Sequence, residues 1–138
     1  MKIGRDERSF IAWLDVLEFY AHDWDETFEN RRGYYTQEFW YLLIGCVVNY
    51  WKGSPMTVSR ACQMMKSGSS RTREERIKKA VVDGYIEKQK HPGDGREIIL
   101  VPTDKLEDMI KSHLQRTMQH MFDTFNQVDG ISISMAKD

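Results

Sequence analysis

The chain has 138 residues and a mass of 16.3 kDa, which suffices for one domain with its own hydrophobic core. Its formal net charge is −1, yet residues 54–103 alone carry a net charge of +4, so a basic segment lies within an acidic body. The first residues lack the apolar stretch of a secretion signal, and the apolar run at residues 39–51 is shorter than the roughly 20 residues of a membrane span. We therefore expect a cytoplasmic protein without a membrane segment.

The first predicted element is an amphipathic helix over residues 7–28. Its apolar residues recur at helical spacing and include several large aromatics: Phe10, Trp13, Leu14, Leu17, Ala21, Trp24 and Phe28. This apolar surface exceeds what one small module would cover, so we expect part of it to pack on a second subunit. Packing within one chain is the alternative.

A second helix is predicted over residues 36–51, after a polar break at residues 29–33 and with Thr36 as its N-cap. It lacks a clearly polar face, which is typical of a helix buried on most sides. We predict that it is the central core helix. Gly45 in its middle indicates a close helix contact or the wall of a ligand pocket.

Two short helices joined by a tight turn are predicted next, over residues 57–65 and 70–83. Gly68 can adopt the left-handed conformation that ends the first, and Ser69 or Ser70 can cap the second. This arrangement is the signature of a helix-turn-helix.

The second of these helices has a basic polar face. Residues 69–82 carry five basic and two acidic side chains, and arginines in the first turns oppose the helix macrodipole. A phosphate or a guanine edge would offset this cost, because arginine can donate two hydrogen bonds to either. A solvated charged face is the alternative interpretation.

A charged hairpin follows directly, with strands predicted over residues 85–90 and 96–101 and a turn over residues 91–95. Arg96 near its tip can enter a narrow minor groove, and Asp94 can hold the guanidinium by an ion pair. We expect His91 in the turn to contact phosphate or to be exposed.

The last predicted helix covers residues 104–127, with Thr103 or Asp104 as its cap. It is longer than one wing can cover, so we predict that it associates with the first helix of a partner chain. We accordingly divide the chain into a helical body (1–53 and 104–128), a winged module (54–103) and a tail (129–138).

The order of these elements, and the motif Asp94-Gly95-Arg96 in the wing, resemble the MarR family of bacterial transcription regulators, whose wing carries an aspartate and an arginine at this spacing. The sequence departs from the family pattern at residues 101–106 and in its arginine-rich helix. The resemblance implies a mainly α fold: a winged helix-turn-helix with a two-stranded β wing and long terminal dimerisation helices.

The resemblance also implies a homodimer that binds double-stranded DNA, most simply as a repressor on an inverted repeat with half-sites about 34 Å apart. We expect Arg71, Thr72, Arg73 and Arg76 to contact bases or phosphates, and Lys66 and Lys79 to contact phosphates only. The full predicted DNA-binding set is Lys66, Ser69, Ser70, Arg71, Thr72, Arg73, Arg76, Lys79, Asp94 and Arg96. The alternative is a protein-interaction adaptor whose basic face meets an acidic partner.

Other chemistry is less well supported. The sequence has no phosphate loop, nucleophile elbow or zinc-protease motif, so we expect neither an enzyme nor a cofactor. His113 and His120 lack a convincing third metal ligand, and Cys46 and Cys62 lie in apolar stretches that favour reduced, buried thiols over redox sensing. The resemblance implies a small aromatic effector, for which the candidates are Trp13, Trp40, Tyr41, Tyr50 and Trp51, although these side chains also suit a core.

Overall fold

The computed structural model describes residues 3–29 and 31–128, and the predicted tail lies outside them. The helices are α1 (Arg5–Thr27), α2 (Gln37–Trp51), α3 (Val58–Met64), α4 (Ser70–Val82) and α5 (Asp104–Gln127). The strands are β1 (Met56–Thr57), β2 (Ile86–Lys90) and β3 (Ile98–Pro102), and a short 3-10 helix covers Arg32–Tyr34. The predicted mainly helical fold with a winged helix-turn-helix is therefore confirmed.

The wing hairpin of β2 and β3 has the two predicted strands, but the sheet contains a third strand that the sequence did not predict. β1 pairs antiparallel with the second edge of β3, with Met56 opposite Leu100, and the strand order is β1-β3-β2. A strand of two residues is too short to produce an alternating pattern in the sequence, and it exists only because β3 offers it a partner. As the central strand, β3 is mostly buried, whereas Glu87–Lys90 of the edge strand β2 are exposed.

The chain forms two compact units. One covers Arg31–Ile110, which we call the winged unit, and the other combines, among the described residues, 3–29 with 111–128, which we call the helical unit. The helix α5 begins in the winged unit and continues in the helical unit. The central helix α2 thus shares a unit with the helix-turn-helix and its wing.

The core of the winged unit forms around α2, as predicted. Leu42, Leu43 and Cys46 are fully buried, and α2 packs against β3 and α3. A Cβ atom at Gly45 would lie 2.8 Å from the Cε atom of Met64 on α3. Of the two predicted roles for Gly45, a close helix contact is the one that the structure supports.

In the helical unit, α1 and the second part of α5 run antiparallel. The rings of Trp13 and Phe125 are 5.2 Å apart, and the Asp15 carboxylate lies 2.8 Å from Nε2 of His120. The later residue of α1 therefore meets the earlier residue of α5. Along α1, side chains such as that of Val16 are buried on one side. Phe10, Leu14 and Leu17 of the predicted apolar stripe remain more than half exposed within one chain.

A buried polar cluster, not predicted from the sequence, joins α1 to α5 in the helical unit. The Asp23 carboxylate accepts hydrogen bonds from Nδ1 of His113 at 2.6 Å and from Nε of Arg116 at 2.8 Å. Burial by itself would raise the pKa of Asp23, but the hydrogen bonds from Arg116 and His113 outweigh it and hold this pKa below 3.8. Burial has the opposite effect on the histidine. It lowers the pKa of His113 below 6.5, although the neighbouring carboxylate favours the charged form.

Candidate nucleic-acid interface

The helix α4 begins with the cap and turn that the sequence predicts. Gly68 has φ +97°, in the left-handed region, and Ser69 accepts a hydrogen bond from the backbone N–H of Thr72 at 3.2 Å through its Oγ. The glycine leads the chain out of the turn and the serine satisfies one of the free N–H groups of the new helix. The N-terminal end of α4 is therefore fixed by local interactions.

Arg71 is the most exposed of the predicted arginines on α4. Its side chain is 89% exposed, and its Nε lies 3.2 Å from the Glu75 carboxylate one turn along the helix. Lys66, Ser70 and Thr72 are exposed as well. These four side chains can therefore reach a ligand in solvent. The surface pair of Arg71 with Glu75 contributes little to stability, so it does not hold Arg71 in place.

Arg73 and Arg76, which the sequence predicts to contact DNA, hydrogen-bond to backbone carbonyls of their own chain. Arg73 donates to the carbonyl of Cys62 at 2.9 Å, and Arg76 donates to the carbonyl of Ser67 at 2.7 Å. Glu38 on α2 lies 3.6 Å from the Arg76 guanidinium. The sequence contains no local signal for this, since Glu38 is 38 residues away from Arg76 in the chain.

Lys79 lies at the far end of α4 within a second polar network. Its Nζ is 3.2 Å from the carboxylate of Asp83, which also accepts a hydrogen bond from the buried Tyr34 hydroxyl at 2.6 Å. The Tyr34 hydrogen bond lowers the pKa of Asp83, and burial raises the pKa of Tyr34. The network ties the C-terminal end of α4 to the 3-10 helix and leaves Lys79 half exposed.

The wing turn is organised by His91 and Asp94. Nδ1 of His91 accepts the backbone N–H groups of Gly93 and Asp94, at 2.9 and 3.2 Å, so His91 shapes the turn. The Asp94 carboxylate accepts the backbone N–H of Arg96 at 3.0 Å. The predicted ion pair with the Arg96 guanidinium is thus replaced by a contact to its backbone, because the tight turn brings the N–H within reach. Arg96 itself is exposed.

A cleft of about 380 Å³ brings cations of α4 and of the wing together. Lys88 on β2 was absent from the predicted set, yet it lines this cleft beside Arg71 and Lys78. The complete lining is Val58, Arg71, Glu74, Glu75, Ile77, Lys78 and Lys88. Lys88 is exposed on the edge strand β2, but only the folded chain places it next to α4.

The five predicted effector residues are each partly or largely exposed. Trp51 donates a hydrogen bond to Glu107 at 2.8 Å, and the rings of Trp40 and Tyr41 lie 6.0 Å apart. Trp13 packs against Phe125 in the helical unit, and Tyr50 is 39% exposed. An effector site at these residues stays a prediction.

The thiols are poor nucleophiles in this fold. Burial raises the pKa of Cys46 to about 12, and burial with the nearby Glu74 raises the pKa of Cys62. A sensor thiol needs a lowered pKa, so both environments disfavour the redox alternative.

The two histidines considered as metal ligands are each paired with one aspartate, Asp23 or Asp15. Across residues 3–29 and 31–128, no group of three or more His, Cys, Asp or Glu side chains is placed to hold a metal ion. None of the helices in the described part of the chain combines the length and apolarity needed to cross a bilayer.

No protein-family model and no curated protein matches the sequence. Among solved structures, the transcriptional regulator Tm0710 from Thermotoga maritima is 18% identical and has a TM-score of 0.59, over 83% of this chain and 75% of that chain.

Two other structures match with lower TM-scores. A transcription regulator from Bacillus cereus described as MarR-like is 19% identical, with a TM-score of 0.49 over 86% of this chain and 81% of its own. The overoxidized AbfR bound to DNA is 16% identical, with a TM-score of 0.47 over 85% and 87%. The winged helix-turn-helix fold predicted from the sequence is confirmed: this chain is similar in fold to the transcriptional regulator Tm0710.

Proposed function

We propose that this chain is a transcriptional regulator of the MarR kind, which binds double-stranded DNA as a homodimer and acts as a repressor on an inverted-repeat operator. The observation that carries the proposal is the exposed cation Arg71 at the start of α4, which shares a cleft with Lys88 of the wing. The fold likeness to a transcriptional regulator from Thermotoga maritima supports it.

The charge distribution supports a polyanionic partner. Residues 54–103 carry a net charge of +4 within a chain whose net charge is −1. A cation cluster on a folded module attracts the phosphate backbone and releases its counterions, which supplies most of the non-specific affinity for duplex DNA. In this proposal α4 enters the major groove and Arg96 reaches the flanking minor groove.

The exposed stripe on α1 supports a second copy as the partner of the helical unit. Phe10, Leu14 and Leu17 are 56%, 63% and 56% exposed, and Phe122 on α5 is 53% exposed. Adjacent exposed apolar side chains of this size are unusual on a monomer and are typical of a surface that a partner covers. Two winged modules held by such a body would require two half-sites about 34 Å apart.

The proposal is tested by duplex binding at several salt concentrations. Fluorescence anisotropy would follow the wild-type protein and a fluorescein-labelled duplex selected by that protein from a randomised pool. With six to ten phosphate contacts, affinity is expected to fall by about 10³- to 10⁵-fold between 50 and 200 mM salt. Arg71→Ala should weaken binding, whereas the charge-matched control Arg5→Ala on α1 should leave it unchanged.

Failure of the selection, or an affinity that does not respond to salt, would reject DNA binding. Equal effects of Arg71→Ala and Arg5→Ala would reject the assigned surface but not the activity. If the protein binds no duplex, the winged helix is better explained as an adaptor for an acidic protein partner.

A further inference from the structure

Arg76 and Glu38 form a clamp on the turn that precedes α4. The Arg76 guanidinium donates to the carbonyl of Ser67 at 2.7 Å, and the Glu38 carboxylate accepts the backbone N–H of the same residue at 3.3 Å. The two charged groups are 3.6 Å apart, and their side chains are only 19% and 15% exposed. Both backbone polar groups of Ser67 are therefore held by side chains of α4 and α2.

The clamp is closely packed as well as hydrogen-bonded. A Cβ atom at Gly68 would lie 3.3 Å from the Arg76 guanidinium and 3.0 Å from Cγ2 of Thr72. The turn thus passes close to the guanidinium, and a side chain at position 68 would require Thr72 or Arg76 to shift. A DNA contact of Arg76 would compete with these two partners for the guanidinium.

Arg73 makes an equivalent contact to α3. Its guanidinium donates to the carbonyl of Cys62 in the last turn of α3, where helix carbonyls lack partners within the helix. Among the described residues, its buried Nε has no hydrogen-bond partner. An arginine is unfavourable at the start of α4 but favourable at the negative end of α3. The cost of a cation at the start of α4 is thus offset within the protein, without a phosphate.

We propose that Arg76 and Glu38, with Arg73, are positioning residues that set the angle of α4 for DNA, and that Arg71 is the contacting arginine of this helix. The assignment rests on the proposed DNA-binding function. Breaking the clamp misplaces the contacting side chains without removing a phosphate contact. Removing Arg71 removes the contact itself.

The salt dependence of binding separates these two roles. Each phosphate that a variant no longer neutralises changes the slope of log affinity against log salt by about 0.9, hence by about 1.8 when both copies of a dimer carry the substitution. We expect Arg71→Ala to reduce the slope by about that amount. Arg76→Ala should lower affinity roughly ten-fold, as expected for residues in one coupled network, with an unchanged slope.

Glu38→Ala provides the sharpest comparison, because the two possible roles of Arg76 predict opposite changes in DNA affinity. If Arg76 contacts DNA, Glu38→Ala removes a nearby negative charge and should strengthen binding. If the clamp positions α4, Glu38→Ala should weaken binding about as much as Arg76→Ala does. Both substitutions break the same interaction. The variant that combines Glu38→Ala with Arg76→Ala should therefore lose no more DNA affinity than the more strongly affected single variant.

Conservative variants separate positioning from misfolding. Arg76→Lys keeps a charge that can meet a phosphate but lacks the planar group that reaches a carbonyl and a carboxylate together, so it should behave like Arg76→Ala. Glu38→Gln keeps an acceptor for Ser67 and should retain more affinity than Glu38→Ala. Urea unfolding of every variant would show that the chains compared are folded.

The experiment uses the full chain and the duplex selected by the wild-type protein. A slope reduced by Arg76→Ala, with tighter binding by Glu38→Ala, would overturn the positioning role and leave the proposed function standing. A wild-type protein without salt-dependent duplex binding would overturn both. Weaker binding by both variants at an unchanged slope supports the clamp.

Discussion

Two arginines of the same helix differ in their exposure and in their contacts. Arg71 and Arg76 are both on α4, yet the side chain of Arg71 is 89% exposed and that of Arg76 is 19% exposed. The difference follows from the glutamate with which each arginine pairs. Glu75 lies on the same exposed face of α4 as Arg71, whereas Glu38 belongs to α2, against which the turn is held.

Asp23 is the residue whose titration should matter most for stability. Its folded pKa lies below 3.8, so its contribution is present above that pH and is lost as the pH falls through the lower, folded value. We expect Asp23→Asn to lower the free energy of unfolding by about 1.5–3 kcal/mol at neutral pH, the range for hydrogen bonds to a charged group. The difference from wild type should shrink near pH 3, as measured by urea unfolding.

The matched control is Asp15→Asn, which alters the more exposed pair with His120 in the same unit. An exposed pair contributes at most about 1 kcal/mol, so this variant should stay close to wild type. A difference between wild type and Asp23→Asn that stays constant from neutral to acid pH would show that the Asp23 charge does not stabilise the fold. His113 should add a separate loss of stability below pH 6.5, because its folded pKa is also lowered.

At the scale of elements, the turn between α3 and α4 joins local and distant interactions. Its glycine and its serine cap follow rules that any helix obeys, and both were predicted from the sequence. The clamp on Ser67 comes from Glu38 on α2 and Arg76 on α4. The start of α4 is thus specified locally, and its placement depends on packing.

Gly68→Ala should separate these two contributions when it is compared with Gly53→Ala. Both glycines have positive φ, and an L residue in that region costs about 1–2 kcal/mol. A Cβ atom at Gly53 meets nothing within 4 Å, whereas one at Gly68 meets Thr72 and Arg76. We therefore expect the larger loss for Gly68→Ala, measured as the midpoint of urea unfolding. Equal losses of stability in the two variants would mean that Thr72 and Arg76 move aside for the new Cβ atom without destabilising the fold.

At the scale of the whole molecule, the helical unit buries too little of its own apolar surface. Phe10, Leu14 and Leu17 repeat along α1 at helical spacing and remain more than half exposed. A small unit made of α1 and part of α5 cannot cover a wide stripe on both helices. This is the physical reason for expecting a second copy.

Leu14→Glu should therefore dissociate the proposed dimer. Full burial of a leucine contributes about 1.5–3 kcal/mol, so its loss from both copies should raise the dissociation constant by about 10²- to 10⁴-fold. Light scattering after gel filtration would report a mass of 16.3 kDa for the variant and twice that for wild type. Val82→Glu is the matched control, since Val82 is 75% exposed in the winged unit and should leave the dimer intact. A wild-type mass of one chain would reject the homodimer.

The sequence by itself determined the five α-helices, the caps of α2 and α4, and the basic character of residues 54–103. Such features depend on residues three or four positions apart, as in the hydrogen bond from the Thr72 N–H to Ser69, and on composition. Only the tertiary structure decided that Arg76 points toward Glu38, that Asp23 meets His113, and that β3 gains the two-residue partner β1. Each of these contacts joins residues 38 or more positions apart. The partner of a guanidinium, a carboxylate or a strand edge therefore depends on which distant groups the folded chain brings next to it.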